Sequence, residues 1–119
     1  MSIQDLVGDF SIVGSNQDGE PYNYKGTLNL SLDHHNRIKA RWLINENQVQ
    51  IGHGFFKDNI LVINFHYTGE NHQTFHGVVV YKCLSKNVFE GFWSEEYGDP
   101  QYLGSEQCTR MDIANNTLN

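Results

Sequence analysis

Basic residues are scarce in this sequence. Eight Lys and Arg stand against fourteen Asp and Glu in 119 residues, a formal net charge of −6. A surface that holds nucleic acid needs clustered Lys and Arg. Here they are scattered, and the densest group, Arg37, Lys39 and Arg41, alternates as the solvated face of a strand does. Nucleic-acid binding is not expected. Charge of either sign is sparse too, at 18%. Proline occurs only twice, and with 39% hydrophobic residues the composition excludes a disordered chain. No apolar run approaches the roughly 20 residues of a membrane helix. The opening stretch, Met1 to Val7, lacks the basic and long apolar regions of a secretory leader. A cytoplasmic protein that does not engage a membrane is expected. The two cysteines, Cys83 and Cys108, follow no Cys-x-x-Cys spacing, so reduced thiols are expected rather than a disulfide framework.

Aromatic residues, in contrast, make up 13% of the chain. Turn-forming clusters recur along it: Asp18-Gly19, Asp33 to Asn36, Asn45 to Gln48, Lys57 to Asn59, Thr68 to His72, Ser85 to Asn87 and Gly98 to Pro100. Between them, segments such as Gly26 to Leu32 and Ile38 to Ile44 alternate apolar and polar residues with the period of a strand. Seven turns separate eight strands, and nearest-neighbour hairpins can close on themselves and remove both edges. The predicted fold is therefore all-β: one eight-stranded antiparallel up-and-down barrel over residues 1–119. It has a short helical turn at 1–7, capped by Ser2, and a frayed tail at 112–119. A two-sheet sandwich is the alternative.

Register can be carried from hairpin to hairpin, because a one-residue slip exchanges the two faces. A five-residue loop at 33–37 pairs Leu28 with Trp42. A two-residue turn at Glu46-Asn47 then pairs Trp42 with Ile51 and Ala40 with His53. Followed onward, the inner face carries Trp42, Ile51, His53, Phe55, Val62, Asn64 and His66. The loop after Thr68 leaves two choices: His76, Val78 and Val80 point inward, or Phe75, Gly77, Val79 and Tyr81 do. The first choice continues to Phe89, Gly91, Trp93, Gly104 and Glu106. The candidate ligand-binding residues on this path are Trp42, His53, Asn64, His66, His76, Trp93 and Glu106. An amphipathic lumen of this kind suits a small apolar or amphipathic molecule.

Three functional readings follow. The first is a non-enzymatic binding barrel. The second is a cofactor-independent isomerase or cyclase in which a buried Glu106, its pKa raised by desolvation, exchanges protons with a lumenal His. The third is an interaction protein that uses its outer strands. His53, His66 and His76 lack the close spacing of a zinc motif, so no metal is expected. No Gly-x-Gly-x-x-Gly opens a helix, and no cofactor is expected. The strands over 61–67 and 77–81 are apolar on both sides, so one side needs a cover, and a homodimer supplies it most simply.

Gly8-Asp9-Phe10 on the first strand and Arg110 at the end of the last make the chain resemble the calycin-type barrels, the group of lipocalins, fatty-acid-binding proteins and avidins. Those proteins often carry Gly-x-Trp at the first place and an Arg packed over that ring at the second. Phe10 replaces the Trp here. The resemblance implies a barrel with an open mouth and a small ligand, with Arg110 lying over Phe10. It brings no recognisable set of biotin-contacting residues. Glycines also fall beside aromatics on successive strands, as in Gly77 to Tyr81, Gly91-Phe92-Trp93 and Gly104-x-Glu106. Such glycines mark bends or close approach in a tightly coiled sheet.

Overall fold

The structure, a computed structural model, describes residues 1–21 and 23–111. A 3₁₀ turn (Ile3–Leu6) leads into eight strands: β1 (Gly8–Ser15), β2 (Tyr24–Leu32), β3 (Ile38–Ile44), β4 (Gln48–Lys57), β5 (Ile60–Thr68), β6 (Thr74–Ser85), β7 (Val88–Glu95) and β8 (Gly104–Arg110). Each strand pairs antiparallel with the next, and β8 pairs with β1, so the sheet closes as an up-and-down barrel. The tail expected to fray, 112–119, lies outside the described residues.

One end of the barrel is sealed. Leu6, from the 3₁₀ turn, is fully buried and joins the core that also holds Phe10, Leu28, Leu30, Ile38, Leu61, Ile63 and Phe89. The Asp5 carboxylate accepts a hydrogen bond from the Ser2 amide at 2.8 Å and caps the turn. Arg110 locks this end. Its guanidinium lies 4.6 Å from the centre of the Phe10 ring and donates to the carbonyls of Asp5 (2.6 Å), Val7 (2.8 Å) and Lys86 (2.8 Å). The calycin-like arrangement of an arginine over the first-strand ring is thus present, with Phe in the place of Trp. The opposite end carries the long connections 16–23 and 96–103. Gln17 ties them together, donating to Ser94 Oγ (3.0 Å) and the Asp99 carbonyl (2.9 Å) and accepting from the Glu95 amide (3.0 Å).

The register differs from the sequence-based path at two points. The β3–β4 connection has three residues, Asn45 to Asn47, since Ile44 pairs with Gln48. Asn45 and Glu46 both take positive φ, 50° and 69°. Asn45 is also bonded to β2, its amide donating to the Lys25 carbonyl (2.8 Å) and its Oδ1 accepting from the Lys25 amide (3.2 Å). That extra residue sets Trp42 against Gln50 and Ala40 against Gly52, and turns every later side chain of β4 and β5 to the other face. The next turn is as expected, and of the two choices for the loop after it the five-residue one forms. Asp58 and Asn59 form a two-residue turn with φ of 52° and 65°, and Thr68 pairs with Thr74 across a five-residue loop. The Lys86-Asn87 turn also forms, with Ser85 opposite Val88, but a bulge between Cys83 and Ser85 shifts the register once more. The bulge reverses the first slip, so Phe89, Gly91, Trp93, Gly104 and Glu106 return to the inner face.

Candidate functional site

The upper half of the barrel holds a cavity of about 280 Å³. Its floor and walls are Tyr24, Trp42, Phe65, Val79, Tyr81, Trp93 and Glu106, and its rim carries Asn16, Asn45, Gln48, Gln50, Tyr67 and Glu95. Four of the aromatic rings stand on a glycine of the neighbouring strand: Tyr24 opposite Gly14, Phe65 opposite Gly77, Tyr81 opposite Gly91 and Trp93 opposite Gly104. A Cβ at any of these glycines would run into the ring it faces. The glycine–aromatic recurrence therefore has a packing cause, since the missing side chain is the space the ring occupies. The rings also brace one another. Phe65 meets Trp42 at 5.9 Å and Trp93 at 6.2 Å between centroids, both edge to face.

Glu106 is the polar centre. It is 7% exposed, the one buried charged residue among those described. Tyr24 Oη donates to Oε1 at 2.7 Å. Tyr81 Oη and Trp42 Nε1 (3.2 Å) donate to Oε2, with the Cys108 thiol behind them at 3.9 Å. Trp93 Nε1 donates to Tyr24 Oη at 3.0 Å, so both tryptophans feed the same carboxylate. Desolvation pushes the Glu106 pKa up, against the opposing pull of these four donors. Burial, reinforced by the carboxylate, raises the Tyr24 hydroxyl. Burial likewise holds the Tyr81 hydroxyl and Cys108 thiol well above their ordinary values. Neither thiol is activated: Cys83, free and buried like Cys108, is pushed up to about 11 by desolvation. At the rim, Tyr67 Oη donates to Glu95 Oε1 at 2.7 Å.

Of the residues singled out from sequence, Trp42, Trp93 and Glu106 line this cavity. His53, Asn64, His66 and His76 do not. The third residue in the β3–β4 connection turns them to the outer face, where His53, Asn64 and His76 are exposed and His66 is partly covered. His66 and His76 are cross-strand neighbours, 5.9 Å between ring centres, outside the barrel. No described histidine lines the cavity, so a proton-transfer pair of Glu106 with imidazole is not assembled there. No cluster able to hold a metal ion occurs among the described residues. Tyr24, Phe65, Tyr67 and Tyr81 belong to the cavity and were not among the candidate binding residues; Glu95, which the sequence places in an acidic rim with Glu96 and Asp99, lines it too. The glycine facing each of Tyr24, Phe65 and Tyr81 was the available signal.

The outer face bears an apolar row. Phe55, Val62, Val80 and Phe92 are lateral neighbours across β4 to β7, with Phe55 62% and Phe92 50% exposed. No described helix is long and apolar enough to cross a membrane.

No protein-family model matches the chain, and no curated protein matches it significantly. Solved structures with the same barrel fold do. A redesigned β-barrel, mFAP1, bound to the small molecule DFHBI has a TM-score of 0.68 at 18% identity, over 91% of this chain and 97% of that one. A second, EF1p2_mFAP2b bound to DFHBI, gives 0.66 at 16% identity over 91% and 95%. A protein of unknown function from the DUF3598 family of Nostoc punctiforme gives 0.53 at 15% identity. This chain, matched over 93% of its length, spans about half (49%) of that one. At these identities the likeness is one of fold: a closed eight-stranded antiparallel barrel.

Proposed function

We propose that the protein is a non-enzymatic, lipocalin- or avidin-like cytoplasmic barrel that binds a small molecule in the cavity above Glu106. The observation that carries this reading is a cavity walled by aromatic rings and sealed at one end by the 3₁₀ turn. Barrels of the same fold that bind DFHBI support it. At about 280 Å³ the space is nearly twice the ~150 Å³ engineered cavity that takes up benzene. It therefore suits a molecule of one or two rings and is too small for a sterol or haem. The chain's two tryptophans both line the cavity, so intrinsic fluorescence reports on it directly. Titration with a set of one- and two-ring compounds, DFHBI first, is expected to give saturable quenching. A flat response to the whole set would overturn the reading in favour of a filled core.

We further infer a homodimer through the apolar row on the outside of β4 to β7. The adjoining row runs Lys57, Ile60, Lys82, Glu90, basic at its β4 end and acidic at its β7 end. A twofold axis along the strands lays Phe55 on the partner's Phe92, and Lys57 on the partner's Glu90. The patch is thus self-complementary in both shape and charge. Sedimentation at tens of micromolar should give twice the 13.7 kDa of one chain, and the double substitution Phe55→Ser, Phe92→Ser should restore one. A wild-type protein that sediments as a single chain at that concentration would refute the dimer.

A further inference from the structure

We infer that the ligand is an organic cation, an ammonium group on a one- or two-ring body, held with its charge between the tryptophan and phenylalanine faces and the Glu106 carboxylate. The inference rests on the proposed binding function of the same cavity and names the chemistry it would select.

Two carboxylates, Glu106 at the floor and Glu95 at the rim, line the cavity, and no described Lys, Arg or His does. An anionic ligand would enter beside two like charges with nothing to offset them. A cation meets the opposite situation. Glu106 is buried without a charged partner, supported only by neutral hydroxyl, indole and thiol donors. Neutral donors offset part of the cost of burying a carboxylate, and a counter-charge offsets more. The raised Glu106 pKa agrees with an incompletely compensated site.

A carboxylate offers about four lone-pair positions. Oε2 receives Tyr81, Trp42 and the distant thiol, whereas Oε1 receives only Tyr24. Oε1 is thus the oxygen with room for a further donor or a nearby positive charge.

Cations are attracted to the faces of Trp, Tyr and Phe, and more strongly once desolvated. Six of the cavity residues are aromatic: Tyr24, Trp42, Phe65, Tyr67, Tyr81 and Trp93. Their own polar atoms are engaged with one another or with the two carboxylates, as in Trp93 to Tyr24 and Tyr67 to Glu95. What they present to a ligand is therefore ring surface rather than competing donors.

The test compares three probes with one ring and one tetrahedral head: phenyltrimethylammonium, neutral tert-butylbenzene and anionic benzenesulfonate. Each is titrated against tryptophan fluorescence of the full chain. Phenyltrimethylammonium is expected to bind at least about tenfold more tightly than tert-butylbenzene, and benzenesulfonate weakest of the three. Glu106→Gln should bring the first two within about threefold of each other while the neutral probe still binds. If Glu106→Gln does not fold, Glu95→Gln at the rim serves instead, with a cation-selective loss of about twofold to threefold expected. Tert-butylbenzene binding as tightly as the cation to the wild-type protein would overturn the cation inference and leave the binding function standing. Silence from all three would overturn both.

Discussion

Phe10→Ala is expected to lower the unfolding free energy by about 3–5 kcal/mol, the range for truncating a fully buried aromatic. The ring is wholly buried, packs on Phe89 at 4.7 Å between centroids, and forms the platform beneath the Arg110 guanidinium. Its loss opens a void at the sealed end. It also frees the arginine that holds the carbonyls of Asp5, Val7 and Lys86. The surroundings cannot collapse to fill the space, because the closed hydrogen-bonded sheet fixes the strand spacing. In a domain whose total stability is roughly 5–15 kcal/mol, a loss of this size leaves a marginal fold. The control is Tyr97→Ala, another aromatic truncation, at a residue 73% exposed in the 96–103 connection. It should change stability by no more than about 0.5 kcal/mol. Guanidinium denaturation of both variants measures the contrast. A Phe10→Ala loss below about 1 kcal/mol would mean that this end of the barrel is not packed as described.

The second large effect is a pH dependence that belongs to Glu106. Desolvation raises its folded pKa above the value it has in the unfolded chain. Between those two values the folded state holds the proton more tightly than the unfolded one. The stabilising contribution is therefore complete below the unfolded pKa and is lost as pH rises through the folded pKa. Each unit of displacement corresponds to about 1.4 kcal/mol. Asp5 and Asp33, both partly covered, have pKa values lowered mainly by backbone hydrogen bonds, from Ser2 and Arg37, and contribute slopes of the opposite sign at lower pH. The informative quantity is accordingly the stability of wild type minus that of Glu106→Gln, measured from pH 3 to 9, roughly the span that brackets the carboxyl titrations. That difference should be largest in acid, fall as pH rises through the folded pKa and level off above it. The groups facing the carboxyl are Tyr24 on β2, Tyr81 on β6 and Cys108 on β8, with Glu95 of β7 in the same cavity. The tyrosine and cysteine pKa values are raised, so the residues donating to it stay neutral across the range. A difference that rises with pH would show that the four donors outweigh desolvation.

What could be read in the sequence was whatever is local. Alternation and turn-forming residues marked eight strands, and the turns at 33–37 and 58–59 were legible because Asn and Asp chemistry sets a loop's length, whereas the lengths of the turns after Thr68 and Ser85 were set by the pairing of Thr68 with Thr74 and of Ser85 with Val88. The sites of Trp42, Trp93 and Glu106 on the inner face also came through. For Trp93 and Glu106 this was because a bulge near Leu84 undid an earlier slip. The loss of His53, Asn64, His66 and His76 from the cavity turns on a single residue. Asn45 reads as the end of a strand or the start of a turn, and its bonds to Lys25 on β2 make it turn. Those bonds come from a neighbouring strand that the local sequence does not contain.

Strand number and order were thus determined by the sequence itself, through short-range periodicity and turn chemistry, while the packing of Arg110 over Phe10 was what the calycin resemblance implied. Which side chains face the cavity was decided by closure of the barrel. Parity along a strand is lost with one extra residue, and the bonds of Asn45 to Lys25, together with the seating of Tyr24, Phe65, Tyr81 and Trp93 on Gly14, Gly77, Gly91 and Gly104, select the register in which the rings fit.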